Sequence, residues 1–328
     1  MPLQDVSVKI NVASPAPKIG LGRPVIFVQK TGAAEYKEYS TLAALQVDYA
    51  TGTAVEAKAA TIFKQDNRPD KVAVATYATD IKTSMTLFYG REWHFALVAN
   101  DLAADQLAAA TFISDKDFKF LVVQVRTEAD RKALKVKKRT KIYDHTIADE
   151  HLDAAAVGDL GSQTVGSITW KFKSLKGVTA RYLNETEINA IDADFAVAYI
   201  VKGGRGQLSE GWLADGSYID DIHGQDWIKA DMENEISYTL GNAPKIPYDA
   251  RGIGAIEAAM STTLQRGFKN GIIATLEGGL PDYTVTTLSR DEVDIQDRAL
   301  RVYPGGSFSY GKSGAIHEAR VTGVVNIQ

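Results

Sequence analysis

Residues 6–12 alternate between apolar and polar side chains, a period of two that predicts a β-strand with one buried face. The apolar face consists of Val6, Val8, Ile10 and Val12. Prolines at positions 15 and 17 exclude a helix after this strand, because proline and the residue before it favour extended backbone. A continuous apolar run over residues 24–28 is then typical of a strand buried on both faces. The pattern therefore predicts an N-terminal arm, residues 1–24, joined to the body by a stiff proline hinge.

Residues 25–204 alternate between apolar runs, which predict strands, and amphipathic stretches, which predict helices. The predicted strands cover 71–77, 93–99, 118–125, 141–144 and 195–202, and the predicted helices cover 39–50, 53–63, 81–89, 102–114, 128–136 and 151–160. Such alternation favours a wound sheet with right-handed crossovers. Residues 161–182 mix aromatic, β-branched, glycine and lysine residues and give no clear prediction.

Beyond residue 203 the pattern changes to a hairpin and two helices. Residues 210–220 predict a β-hairpin around Asp215 and Gly216. Apolar residues four apart predict a helix from Asp226 that ends at Gly241, a residue typical of helix C-terminal caps. A second helix is predicted over 252–270. We assign residues 205–310 to a C-terminal core, distinct from the body at 25–204, which has room for an outer subdomain.

The last residues alternate again and predict a second arm, residues 311–328, behind a glycine-rich stretch. Its apolar face consists of Ala319, Val321, Val325 and Ile327. Neither terminal strand has a hairpin partner next to it, so its backbone N–H and C=O groups need partners elsewhere. The arms could pair within their own subunit, or each could add a strand to a neighbouring subunit's sheet, which would propagate into rings or filaments. The predicted fold is α/β, or α+β, with a wound mixed sheet and extended β-strand arms at both ends.

Composition narrows the range of functions. Of 328 residues, 45% are hydrophobic and 24% are charged, as in ordinary soluble globular proteins. The formal net charge of −4 gives no electrostatic reason to expect nucleic-acid binding, and no apolar run is long enough to span a bilayer. The absence of cysteine excludes disulfides, thiolate metal sites and a cysteine nucleophile.

Several polar or glycine-rich clusters could carry chemistry, but none matches a known site. The glycine-rich run 203–206 lacks the lysine and hydroxyl of a phosphate loop, so we interpret it as a turn. His145 and His151 are six residues apart, which fits no common metal pattern, and we interpret them as solvated. We interpret the basic cluster 135–141 as a solvated helix end, and the acidic residues between 291 and 297 lack a calcium-loop pattern.

We therefore predict no catalytic, cofactor-binding or metal-binding residue. The alternative is an enzyme on the wound sheet, with its site where strands such as 93–99 and 118–125 end.

The C-terminal part contains two longer motifs, each at the start of a predicted helix. The first, G-x-x-x-D-x-x-x-G-x-D-W, is formed by Gly216, Asp220, Gly224, Asp226 and Trp227. The second, K-[IL]-P-Y-[TD]-x-x-G, is formed by Lys245, Ile246, Pro247, Tyr248, Asp249 and Gly252. The segments D-R-A-x-R at 297–301 and G-A-I-H at 314–317 precede the last strand. With the opening of the chain, these motifs resemble tail sheath proteins of contractile phages over roughly residues 1–30 and 205–328.

The resemblance implies a structural protein and not an enzyme. It implies subunits that stack as hexameric rings around an inner tail tube, with terminal arms that link neighbours by strand exchange while the sheath contracts to drive the tube. The implied partners are further copies of the chain, the inner tube protein, and the baseplate and tail terminator proteins. The implied location is a virion tail assembled in the host cytoplasm, with no cofactor, no nucleic-acid partner and no membrane insertion by this chain.

The resemblance also implies that a helix of the C-terminal part faces the tube and makes electrostatic contacts with it. We assign this role to helix 252–270, with Arg251, Arg266 and Lys269 as candidate tube contacts. The alternative is that these cations are surface residues that complement the helix dipole. A tube or baseplate protein of the same particle is a further alternative.

Overall fold

The computed structural model describes residues 21–322. Six of the predicted arm residues lie outside this range: Val6, Val8, Ile10, Val12, Val325 and Ile327. The described residues form a large mixed sheet flanked by helices, followed by two long helices and a two-stranded sheet. The predicted mixed α/β class is therefore confirmed.

The large sheet has a parallel centre and antiparallel edges. Its strands are β1 (Pro24–Gln29), β2 (Tyr36–Tyr39), β3 (Val72–Tyr77), β4 (Phe95–Val98), β5 (Phe120–Val125), β6 (Thr140–Asp144), β7 (Ala196–Lys202) and β8 (Arg205–Leu208). They lie in the order β2-β3-β1-β4-β5-β6-β7-β8, and only the pairs β2–β3 and β7–β8 are antiparallel. Strands β3 to β6 are buried along their whole length, as expected for parallel strands covered on both faces.

Helices cover both faces of this sheet. They are α1 (Leu42–Gln46), α2 (Ala54–Phe63), α3 (Ile81–Phe88), α4 (Ala103–Lys116), α5 (Glu128–Leu134), α6 (Leu152–Leu160) and α7 (Glu185–Asp192). One face packs with α1, α2 and α6 around a cluster of 27 buried apolar residues. The other packs with α3, α4, α5 and α7 around a cluster of 24. The body therefore has a complete core on each side of its sheet.

The helix predicted over 39–50 is too long at both ends: only the five residues of α1 are helical, and Tyr39 is the last residue of β2, an edge strand that pairs with β3 and that the sequence pattern does not predict. Thr41 separates the two elements, because its hydroxyl accepts a hydrogen bond from the N–H of Ala44 at 3.2 Å and so caps the helix. The sequence pattern also does not predict α7 or β8. The other predicted elements between residues 24 and 202 are confirmed, with ends that differ by a few residues.

After the sheet, the chain forms α8 (Ile219–Asn242), α9 (Ala250–Lys269), β9 (Tyr283–Thr287), a 3-10 turn (Arg290–Glu292), α10 (Ile295–Ala299) and β10 (Gly306–Tyr310). The predicted turn at Gly216 is confirmed: its φ is +85°, and the N–H of Leu213 donates to the carbonyl of Ser217 at 2.7 Å. The hairpin around it is short, because Ile219 already begins α8.

The predicted bounds of the first long helix are wrong at both ends. Helix α8 begins at Ile219 and not at Asp226, since Ile219 and His223 both bury their side chains in the protein. It continues through Gly241 and ends at Asn242. Ala243 is extended (φ −89°, ψ 137°) because it precedes Pro244, which disfavours helical backbone at the preceding position. Proline, and not a glycine cap, therefore ends this helix.

Candidate assembly surface

Helix α8 is attached to the body by a buried carboxylate. Asp226 accepts two hydrogen bonds from the Arg139 guanidinium, Nη1 to Oδ2 at 2.7 Å and Nη2 to Oδ1 at 3.0 Å. His94 Nε2 lies 3.2 Å from the same carboxylate, and all three side chains are buried. A buried bidentate pair has a fixed geometry. The motif residue Asp226 therefore fixes the orientation of α8 relative to the sheet.

His223 attaches the start of the described chain to the same helix. Its ring stacks on that of His94 at 5.1 Å, and its Nε2 lies 2.7 Å from the carbonyl oxygen of Leu21. A carbonyl can only accept, so Nε2 carries the proton and donates it. Burial, with the neighbouring His94, lowers the pKa of His223 to about 3. The ring is therefore neutral at physiological pH.

The interpretation of cluster 135–141 as a solvated helix end is wrong for two of its cations. Arg139 is buried against Asp226, and Lys141 is fully buried with its Nζ donating to the carbonyl of Trp212 at 2.7 Å. Burial lowers the pKa of Lys141 to about 7. Both side chains are satisfied by residues far away in sequence, which hold the C-terminal part of the chain against the body.

Helices α8 and α9 pack through a small core and one ionic contact. Arg266 on α9 donates to Asp231 and Glu235 on α8, each at 2.6 Å. Gly267 allows close approach, because an added Cβ would lie 2.5 Å from the Ile228 side chain. The cluster of buried apolar residues at this contact has only seven members. The helix pair is therefore held by far less buried surface than the large sheet.

The three candidate tube contacts differ in availability. Arg251 is exposed and pairs with Asp249, the cap of its own helix, at 2.8 Å. Lys269 is exposed in the last turn of α9. Arg266 is half-buried and already bound to two carboxylates of α8. Arg251 and Lys269 can reach a partner, whereas Arg266 is occupied within the subunit.

Strands β9 and β10 form a small antiparallel sheet with free edges. Among residues 21–322 these two strands pair only with each other, from Gly306 opposite Thr287 to Tyr310 opposite Tyr283. Tyr283, Val285 and Tyr310 pack towards the α8–α9 core, while Phe308 stays 42% exposed. An unpaired strand edge is a template for a further strand. This sheet can therefore accept strands from outside the subunit.

The described part of the C-terminal arm, residues 311–322, contains no strand. Ile316 and Val321 are 83% and 92% exposed, and Ala319 is also exposed. His317 is the exception: its Nε2 lies 2.8 Å from Thr169 Oγ1 and its Nδ1 lies 3.2 Å from Glu210 Oε2. Within the described residues the arm therefore contacts the body at His317, while the apolar side chains on either side of it are uncovered.

Exposed apolar side chains are most frequent in the part of the molecule beyond residue 210. Of 19 large apolar side chains exposed within residues 21–322, 12 lie beyond residue 210. They are Tyr218, Tyr238, Leu240, Leu276, Leu280, Leu288, Ile295, Leu300, Val302, Phe308, Ile316 and Val321. Large exposed apolar patches mark interaction sites. We call the surface formed by β9, β10, the connection between them and the C-terminal arm the assembly surface.

The carboxyl ends of the parallel strands, where the enzyme alternative would place its site, are filled by an ionic cluster. The Lys58 ammonium, fully buried, binds Asp153 and also Asp101, the latter at 2.6 Å. No group of three or more histidine or carboxylate residues within the described range could hold a metal ion. The Lys58 ammonium at this edge is therefore already paired with carboxylates of its own chain.

Two further interpretations of candidate chemistry have different outcomes. The glycines at 203 and 204 form the turn between β7 and β8, with φ of +60° and +76°, so the turn interpretation is confirmed. The interpretation of His145 as solvated is wrong: its ring is fully buried, and its Nε2 lies 2.8 Å from Glu150. Burial lowers the pKa of His145, which keeps the ring neutral at physiological pH. Within residues 21–322, no helix has both the length and the apolar character that crossing a membrane requires.

Residues 219–325, which include α8, α9 and the assembly surface, match the sequence family described as E217 tail sheath protein gp31-like, C-terminal domain. This is a family of structural proteins, in agreement with the expectation that the chain is not an enzyme. No curated protein matches the chain at a significant level.

Solved structures with the same fold come from contractile injection systems. A chain of the anti-feeding prophage baseplate has a TM-score of 0.73 at 12% identity, covering 100% of both chains. A chain of the contracted sheath of PVC, an extracellular contractile injection system, has a TM-score of 0.73 at 10% identity, covering 94% of this chain and 92% of that one. The sheath tail protein DSY3957 from Desulfitobacterium hafniense has a TM-score of 0.53 at 11% identity, covering 88% and 97%. Residues 219–325 therefore match the tail sheath family model, and along its length the chain has a fold similar to that of proteins from the anti-feeding prophage and from an extracellular contractile injection system.

Proposed function

We propose that this protein is a structural subunit of a contractile tail sheath that polymerises as hexameric rings around an inner tube. The observation that carries the proposal is the assembly surface, where free strand edges, exposed apolar side chains and an arm that forms no strand within residues 311–322 lie together. Such a surface is unfavourable in water and becomes favourable when neighbours cover it. The subunit thus has a complete body and a C-terminal part that neighbours would complete.

Strand exchange is the contact that this surface supports. The alternating arm residues Ala319, Val321, Val325 and Ile327 supply a donor strand, and the free edges of β9 and β10 supply acceptors. Backbone hydrogen bonds would give the affinity, and the apolar face of the arm would cover exposed residues such as Phe308. The arm at Val6, Val8, Ile10 and Val12 has the same pattern and would serve a second neighbour. Because the donor strand and the acceptor edge are different segments of the chain, the contact is heterologous, and repeated exchange gives rings or filaments.

Contraction would be a change in how neighbouring subunits pack against each other, while their arms stay paired. In the contracted arrangement, burial of exposed apolar residues such as Ile295 and Leu300 between subunits would supply the driving force. The extended arrangement would be a kinetically trapped state. No nucleotide is needed for such a device.

The proposed partners are other copies of the chain, the inner tube protein, and the baseplate and tail terminator proteins, in a virion tail or a related injection particle assembled in the host cytoplasm. Arg251 and Lys269 are the proposed tube contacts, because both are exposed on α9. Arg266 is retained as a weaker candidate, since its guanidinium is already bound to Asp231 and Glu235.

Deletion of residues 1–14 or of residues 316–328 tests the proposal. We expect each truncated subunit to stay folded, because residues 25–219 form the two large clusters of buried apolar residues that the structure describes in the body. We also expect loss of the tubes or rings that negative-stain microscopy of the full chain should reveal. Unchanged polymers after both deletions would contradict strand exchange. Compact particles of the full chain at every concentration would instead favour the enzyme alternative.

A further inference from the structure

The root of the N-terminal arm rests on residues 161–171, which we call the junction segment. Gly22 approaches this segment so closely that an added Cβ would lie 2.4 Å from the carbonyl oxygen of Gly161. The hydroxyl of Ser162 donates to the carbonyl of Gly22 at 3.2 Å. The chain therefore enters the body in direct backbone contact with the beginning of the junction segment.

The root of the C-terminal arm rests on the other end of the same segment. Thr169 Oγ1 lies 2.8 Å from His317 Nε2, and Lys171 forms an ion pair with Glu210, the carboxylate that His317 Nδ1 contacts at 3.2 Å. With the proton on Nδ1, the ring donates to Glu210 and accepts from the Thr169 hydroxyl, so both nitrogens are satisfied. The His317 ring also lies edge-on to Tyr218 at 4.8 Å. The arm is thus held by a polar clamp, although the residues around it in sequence are exposed.

The junction segment is itself fixed between these two contacts. Trp170 is 1% exposed, and its ring lies 5.6 Å from Phe95 in the core of the sheet. Gly166, at φ +91°, lies against the end of α9, where an added Cβ would meet the Ile272 side chain at 2.5 Å. A short segment held in the core at one residue and against α9 at another has little freedom to move at one end alone.

We propose that the junction segment couples the two arm roots energetically, so that loosening one root loosens the other. The extension of this inference to the polymer rests on the proposed function: a subunit whose arms are held by two different neighbours would pass tension from one to the other through residues 161–171. Ser162, Thr169 and His317 are then positioning residues for the arms.

Hydrogen exchange of the full-length subunit, kept below the concentration at which it assembles, tests the coupling. Thr169→Val removes the hydroxyl that His317 contacts and keeps the side-chain volume. We expect amide exchange over residues 311–318, read at the hydrogen-bonded N–H groups of Gly311 and Ser313, to rise about fivefold, the factor for one lost hydrogen bond of ordinary strength. We also expect a rise of about twofold or more over residues 21–26, at the opposite root.

The reciprocal variant and a matched control sharpen the test. Ser162→Ala should raise exchange at 21–26 directly and at 311–318 through the junction segment, since coupling free energies are equal in both directions. Thr179→Val removes a hydroxyl that donates to Glu150 at 2.6 Å, away from both roots, and should change neither region. His317→Ala should act like Thr169→Val, and His317→Gln, whose amide can still bond to Thr169, should restore slower exchange.

Two outcomes would overturn the inference. If Thr169→Val and His317→Ala loosen residues 311–318 and leave 21–26 unchanged, the two roots are anchored independently. If neither variant loosens residues 311–318, His317 does not clamp the arm. Because this readout needs no polymer, it can fail while the arm deletions still abolish assembly, and it can succeed even if they do not.

Discussion

The body and the C-terminal region of this molecule differ in how far their apolar residues are buried. The body buries them on both faces of an eight-stranded sheet, in clusters of 27 and 24 residues. The C-terminal helices and small sheet share a cluster of seven, and the region beyond residue 210 exposes 12 of the 19 large apolar side chains that are open to solvent within residues 21–322. The body thus has a complete core in one subunit, and the difference supports the proposal that other subunits complete the C-terminal region.

The same contrast holds for the charged residues. In the body, ions such as Lys58 and Asp153 are fully buried and neutralise each other. On the assembly surface, by contrast, no residue of the 3-10 turn or of α10 is buried, the charged residues included. A subunit with this division can keep its body unchanged while its C-terminal contacts are rearranged, which suits a polymer with two packing states.

The largest expected effect comes from a pair of identical substitutions, one in each region. Phe120→Ala removes a fully buried ring from the sheet and should lower the free energy of unfolding by about 3–5 kcal/mol. Phe308→Ala removes a ring that is 42% exposed on β10 and should cost about 1 kcal/mol or less in the isolated subunit. Urea denaturation of the two variants measures the difference. Equal costs would mean that the assembly surface is already covered within the subunit.

The attachment of α8 to the body should be the next most sensitive point. Asp226→Ala leaves Arg139 buried without its bidentate partner and should cost about 3 kcal/mol or more. Arg251→Ala breaks an ion pair that is exposed on α9, and should change the free energy of unfolding far less, because solvent screens exposed charges. A small effect of Asp226→Ala in urea denaturation would show that the carboxylate does not fix the helix.

Acid should weaken the contact between α8 and the body. His223 has a pKa of about 3 when folded and an ordinary histidine pKa near 6.5 when unfolded, so between these values the unfolded chain binds more protons. Stability from this residue is therefore present above pH 6.5 and is lost as the pH falls, by about 2 kcal/mol between pH 7 and pH 5. Denaturation at both pH values should show this loss in the wild type. His223→Gln should reduce it, and an identical pH dependence in the variant would exclude His223 as the source.

The smallest effect on stability is expected on the assembly surface itself. Leu300→Ser, at a side chain that is 73% exposed, should change the free energy of unfolding by about 0.5 kcal/mol or less and yet weaken polymer formation. Leu87→Ser is the matched control on the body, where the side chain is 63% exposed. It should alter neither property. Sedimentation of assembled material separates the two variants, and equal sedimentation would argue against a special role for the C-terminal surface.

The sequence predicts the body well because its strands are continuous apolar runs, such as Val72–Tyr77 and Phe120–Val125, whose burial on both faces needs no knowledge of distant residues. It fails at β2, an edge strand with charged residues that lacks the composition of a buried strand. Strand β8 is also short and polar, so its sequence does not indicate a strand. It is a strand because it pairs with β7 in a hairpin.

The site was harder to predict, for a physical reason. Arg139, Lys141 and His145 look solvated in sequence, and the first of these is buried by a carboxylate 87 residues away. Arg266 likewise has its partners on another helix. Pairings over such distances leave no periodic signal. The motif glycine and histidine residues at 314–317 did mark the arm, but the clamp on Thr169 and Glu210 is visible only in three dimensions.

Cross-linking between subunits that each carry one cysteine tests the central claim most directly, because the chain has no cysteine of its own. One subunit carries Val321→Cys in the arm, and the other carries a cysteine on β10 at Ser307, Phe308 or Ser309. When the two are assembled together and oxidised, we expect a covalent dimer for at least one of the three positions, and none under conditions that prevent assembly. If a disulfide instead forms only when both cysteines are on the same chain, and only as a closed monomer, the arm folds back on its own subunit and the account is wrong.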